Sequence, residues 1–132
     1  MDGGQSERLS EIPNYGAFDI SPDGKLAVFA AVTRAAKRRL ALVPVDSPQN
    51  AKLVDFQHVV PSFGAVRFTG DGKAVVYALG DQDAENLWLQ PLDGSPEKQI
   101  TNFKPEQIRD FHWSFDGSKL GMVRTPCTPC AR

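Results

Sequence analysis

Much of what marks a specialised protein is missing from this chain. There are two cysteines in 132 residues, and both stand near the end, as Cys127 and Cys130 in TPCTPCAR. Zinc wants four ligands, and a redox Cys-x-x-Cys wants a helix N-terminus to lower its thiol pKa. Only His58 and His112 could add nitrogen ligands, and a proline precedes each cysteine, so the segment reads as an unstructured tail. No run of 18 apolar residues occurs, which excludes a membrane-spanning helix. The opening MDGGQSERLSE lacks an apolar stretch and does not read as a signal peptide. Net charge is only −1, so bulk attraction to nucleic acid or a membrane surface is not expected. With 41% hydrophobic and 23% charged residues, the chain is of ordinary globular composition. Its length suits one domain or a piece of one, and 11 glycines with 10 prolines imply frequent turns.

What is present is a repeat. FDISPDGKLAVFAAV from Phe18, VRFTGDGKAVVYAL from Val66 and FHWSFDGSKLGMVR from Phe111 align on an Asp-Gly pair: Asp23-Gly24, Asp71-Gly72 and Asp116-Gly117. The glycines step by 48 and then 45 residues. LALVPVD from Leu40 and LWLQPLD from Leu87 repeat at 47, as do the closing residues Phe56 and Phe103. Before each Asp-Gly, Phe18/Ile20, Val66/Phe68 and Phe111/Trp113 alternate with other residues, the period of a strand. After it, Ala27/Phe29, Val75/Tyr77 and Leu120/Met122 do the same. Asp bonds nearby amides and Gly takes a positive φ, so each pair predicts a tight hairpin.

A third strand follows at Leu40/Leu42 and Leu87/Leu89, ended by Pro44 and Pro91, which lack a ladder donor. A short fourth is expected near Leu53 to Phe56 and Ile100 to Phe103. Only Thr33 to Arg39 has helical character, as a short connector. Four-stranded antiparallel units of this period are the blades of a β-propeller, giving an all-β fold. The expected division is 1–17, the end of a preceding blade; 18–57 and 58–104, two blades; 105–124, the first hairpin of another; and 125–132, the tail. Propellers close with about four to eight blades, so these units form an incomplete one. The chain is expected to be part of a longer protein or an interrupted reading frame, or else to assemble through exposed blade edges.

Chemistry-bearing patterns are few. No Gly-x-Ser-x-Gly elbow occurs; Ser95 and Ser118 follow glycines in turns. His112 alternates outward beside Trp113, and His58 lies between blades; both read as surface histidines. Gly70-Asp71-Gly72 is too short to cradle phosphate and leads into a strand. Neither His-Arg-Asp nor Asp-Phe-Gly is present. Asp81, Asp83 and Glu85 alternate, but an EF-hand's glycine and glutamate places hold Asn86 and Leu92. No catalytic residue, cofactor or metal site is expected, and any catalytic domain would lie outside these residues. Arg34, Lys37, Arg38 and Arg39 form the one basic cluster. It reads first as a charged connector, with contact to an acidic partner as the sharper alternative. Without interleaved aromatics, single-stranded nucleic acid is not expected as a partner.

Phe-x-x-Ser-Pro-Asp-Gly-Lys with Leu-Trp-Leu and Gln-Ile-Thr resembles the TolB-like β-propeller repeat, a relative of the WD repeat. Ile20 to Lys25, Trp113 to Ser118, Leu87 to Leu89 and Gln99 to Thr101 carry the pattern, and it extends from Leu9 to Arg124. Gly70 and Phe115 depart from it, standing where proline is usual, as does Arg34 to Arg39, where a short Asp-Gly turn is usual. The resemblance implies a non-catalytic scaffold that binds other proteins. The alternative it implies is a regulatory or substrate-gating propeller segment of a larger bacterial serine/threonine kinase or prolyl-oligopeptidase-type hydrolase. Such propellers are often periplasmic, while no leader is read at Met1.

Overall fold

The computed structural model describes residues 14–32, 38–55, 66–80, 84–104 and 106–126. They form three antiparallel sheets. β1 (Asn14–Ile20), β2 (Leu26–Val32), β3 (Arg38–Pro44) and β4 (Lys52–Asp55) make the first. β5 (Val66–Phe68), β6 (Ala74–Gly80), β7 (Glu85–Pro91) and β8 (Lys98–Gln99) make the second. β9 (Glu106–Trp113) and β10 (Leu120–Pro126) make the third, which repeats the first hairpin of the others. Within each sheet every strand pairs with the next along the chain, so each is a meander joined by short connections. A single 3₁₀ turn, Pro48–Asn50, is the helical segment among the described residues.

The sheets stack face to face, and period two decides which residues meet. Val28 and Leu40 leave one face of the first sheet and pack with Val66, Phe68, Val75, Tyr77 and Leu79 of the second. Val76, Ala78 and Leu87 leave the opposite face of the second sheet and pack with Ile108 and Phe111 of the third. The other face of the first sheet buries Ala27, Phe29, Ala31, Ala41 and Val43. β2 and β6 are therefore covered on both sides. That is why LAVFAA and AVVYAL read as nearly continuous apolar runs, where a half-solvated strand would alternate. Tyr77, Phe111, Leu40 and Leu87 are almost wholly removed from water, each contributing about 1.5–3 kcal/mol by transfer.

Pro44 and Pro91 each stand last in a third strand, opposite Leu26 and Ala74. β1 already begins at Asn14, inside the segment expected to close a preceding blade, and β10 continues through Thr125 and Pro126 into the expected tail. Arg38 and Arg39 belong to β3 rather than to a helical connector, since two more ladder pairs, Ala31 with Arg39 and Val32 with Arg38, extend the sheet. The fourth strand of the second sheet also differs from expectation. It is Lys98–Gln99; one further main-chain bond runs from the Ile100 amide to the Leu87 carbonyl at 2.9 Å, and residues 101–103 are then held by side chains in place of a ladder. Thr101 Oγ1 accepts the Leu87 amide at 2.8 Å and donates to Asn86 Oδ1 at 2.9 Å. Asn86 Oδ1 accepts the Phe103 amide at 2.5 Å. The hydroxyl takes the amide that a strand carbonyl would otherwise take, so the ladder stops there.

Candidate functional site

Three hairpin turns of one construction lie at one end of the sheets. In each, a hydroxyl two residues before the glycine's aspartate donates to that aspartate: Ser21 to Asp23 at 2.6 Å, Thr69 to Asp71 at 2.6 Å, Ser114 to Asp116 at 2.7 Å. The same carboxylate oxygen accepts the amide two residues on, from Lys25, Lys73 and Ser118, each at 3.0 Å. The hydroxyl oxygen in turn accepts the amide five residues on, from Leu26 at 3.0 Å, Ala74 at 3.2 Å and Lys119 at 3.0 Å. Gly24, Gly72 and Gly117 have φ of 74°, 71° and 74°, the left-handed region that residues with a β-carbon avoid. These bonds favour the ionised acids. Asp23 and Asp71 titrate below the usual carboxylate range, chiefly through the Ser21 and Thr69 hydroxyls. Asp116, led by Ser114 and helped by Ser118, falls to about 2.

The turns also touch one another. A β-carbon on Gly72 would meet Pro22 Cδ at 3.7 Å, and one on Gly70 would meet Gly117 Cα at 3.3 Å. Gly70 thus stands where the repeat usually has proline because the next turn's backbone comes against it.

Beside the turns, the first strands carry one polar residue at a matching place: Asp19 between Phe18 and Ile20, Arg67 between Val66 and Phe68, His112 between Phe111 and Trp113. Each of the first two reaches the next sheet's main chain. Asp19 Oδ2 accepts the Phe68 amide at 2.9 Å. Arg67 Nε donates to the Phe111 carbonyl at 3.3 Å, and its Nη1 to the carbonyls of Phe18 and Val66, both at 3.3 Å. Arg67 Nη2 meets Asp110 Oδ1 at 3.4 Å and His112 Nε2 at 3.0 Å. First strands at a sheet edge leave amides and carbonyls unpaired, and these side chains satisfy them. Together with the turns they enclose a recess of about 300 Å³, lined by Asp19, Ile20, Arg67, Trp113, Phe115 and Asp116 among others.

Of the residues singled out by sequence, Asp23, Gly24, Asp71, Gly72, Asp116 and Gly117 all stand in these turns. Ser118 donates to Asp116 at 2.7 Å, and the Ser95 amide to Asp93 at 2.9 Å. His112 is 64% exposed. Arg39 stands on β3, opposite Asp55, and does not line the recess. Arg34, Lys37, the side chain of Arg38, His58, Asp81, Asp83, Cys127 and Cys130 lie outside the described residues, as does the strand match at Leu9. Sequence reasoning passed over Asp19, Arg67 and Asp110. For Asp19 and Arg67 the signal was there, the residue between the two apolar positions of the first strand; Asp110 stands before Phe111 and carried no such mark.

No protein-family model matches the chain, and no curated protein does. Among solved structures, the crystal structure of TolB from Acinetobacter baumannii superposes with a TM-score of 0.71 at 22% identity, over 86% of this chain. That match takes in 27% of the TolB chain, so this chain spans about a quarter of the protein it resembles. The fold is thus that of consecutive blades from a TolB-like β-propeller, short of a closed ring.

Proposed function

We propose that this chain is a non-catalytic propeller scaffold whose turn-bearing end contacts another protein. The observation that carries the reading is how the polar side chains around the recess are occupied. The three turn aspartates are held by their own turns. Arg67 is held by main-chain carbonyls. Groups fixed in this way shape a surface and are poorly placed to move protons or attack a substrate. Around them, exposed turns on a rigid sheet scaffold are the usual place for contacts. The likeness to TolB in fold and in repeat pattern points the same way, and no observation favours a gating role beside a catalytic domain.

Selection of displayed peptides against the purified chain tests the reading. Enriched sequences are expected, with binding lost when residues of the three turns are substituted. Turnover of an ester, peptide or nucleotide that disappears with substitution of Ser95, Ser118 or His112 would overturn it, as would the absence of any selected binder.

A further inference from the structure

We infer that the recess among the first strands receives a basic side chain, arginine or lysine, projecting from the protein partner. This deepens the interaction reading and rests on it.

The groups left open in the lining decide what it can hold. Arg67 is the one full cation in the lining, and all five of its N–H groups are directed at partners within the protein. Its charge is matched by Asp110 at 3.4 Å. The Trp113 indole N–H is buried without a hydrogen-bond partner, and His112, also in the lining, turns its Nε2 to Arg67 and Asp110. Two carboxylates are left with an oxygen to spare. Asp19 uses Oδ2 for the Phe68 amide, and Asp116 gathers its three bonds on Oδ1. With Arg67 matched by Asp110, the Asp19 and Asp116 carboxylates leave the lining with net negative charge and two open acceptor oxygens, against one neutral donor in the Trp113 N–H. An anion would be repelled there, and a cationic donor would be held.

The remaining wall is apolar and accessible. Phe115 is fully exposed at the tip of its turn, and Ile20 is 39% exposed. An aromatic face beside carboxylates suits a cation lying over the ring, and the methylene stem of lysine or arginine covers apolar surface as its head reaches the acids. A recess of about 300 Å³ accommodates one long side chain, at the small end of ligand pockets. A metal ion is less well served: no group of three or more His, Cys, Asp or Glu among the described residues is placed to hold one.

The test is an NMR titration of the 132-residue chain with a capped Gly-Gly-Arg-Gly-Gly peptide, its citrulline analogue and its glutamate analogue. The arginine peptide should shift the Trp113 indole N–H and the Ile20, Gly70 and Gly117 amides saturably. The citrulline peptide should bind about tenfold more weakly, roughly the loss of one charge-assisted contact, and the glutamate peptide not at all. D19N keeps an oxygen for the Phe68 amide, and F115S alters a fully exposed residue, so both should fold and both should weaken binding several-fold. Equal binding of arginine and citrulline peptides, tighter binding of the glutamate peptide, or no saturable shift would overturn the inference. Displayed peptides that bind D19N and F115S as well as the parent would overturn this site and leave the interaction reading standing. Failure to select any binder would overturn both.

Discussion

The backbone of Gly117 lies so close to Gly70 that a β-carbon on Gly70 would stand 3.3 Å from the Gly117 Cα. Two successive turns therefore meet main chain to main chain. G24A adds a methyl where nothing lies within 4 Å, so only its φ of +74° is strained, at about 1–2 kcal/mol. G117A has the same φ and meets the Gly70 Cα only at 3.5 Å, an ordinary contact, so its loss should be close to that of G24A. G70A carries no positive-φ strain but presses its β-carbon to 3.3 Å from the Gly117 backbone, and urea unfolding should show it losing stability as well. An unchanged G70A would mean that the turns are independent.

Arg67 links three sheets through the carbonyls of Phe18, Val66 and Phe111. R67A leaves those acceptors without their donor and should cost about 1–3 kcal/mol. R67K should rescue little, because an ammonium cannot reproduce the planar fork. The ion pair with Asp110 is partly exposed, at 21% and 48% for the two side chains, and D110N should change stability by about 0–1 kcal/mol. Chemical denaturation of the three variants checks the order.

Acid should loosen the turns in a defined window. Asp23, Asp71 and Asp116 titrate lower when folded than when unfolded. Their contribution is complete above the unfolded carboxylate value of 3.8 and is lost as pH falls through the folded value, which is about 2 for Asp116. Asparagine keeps the accepting oxygen and does not titrate. A triple D23N/D71N/D116N chain should therefore lose less stability than the parent between pH 4 and about 2, followed by tryptophan fluorescence. A parallel acid limb in both proteins would exclude the turns as its source.

Core and surface should separate sharply. Leu87 is fully buried between the second and third sheets, while Val123 is 58% exposed. L87A should cost about 2–5 kcal/mol, and V123A should stay within about 0.5 kcal/mol. Calorimetric melting of both variants measures the contrast.

The hairpins were legible in the sequence because Asp-Gly has a local meaning: the glycine alone tolerates the turn's φ, and the aspartate bonds within reach. The ends of the third strands were legible for a similar reason, since Pro44 and Pro91 carry no donor. The fourth strand at residues 100–103 was misplaced because apolar Ile100 and Phe103 look like strand residues. The Thr101 hydroxyl and the Asn86 amide, which replace the ladder, act over 14 to 17 residues. Nor does alternation within a repeat tell which sheet will satisfy Asp19 or Arg67, because their partners lie 49 and 44 residues away. Phe115 marks a case the pattern could flag without explaining: it departs from the usual proline, and its exposure became evident only in the folded turn.

Stacking of successive sheets, each face against a particular neighbour, is the claim on which the rest depends. A methyl–aromatic NOESY spectrum of the intact chain tests it directly. Cross-peaks should join the Val28 and Leu40 methyls to the cluster of Val66, Phe68, Val75 and Tyr77, and the Val76 and Leu87 methyls to Ile108 or Phe111. Cross-peaks joining Val28 or Leu40 to Ile108 or Phe111, or none between sheets, would contradict the account.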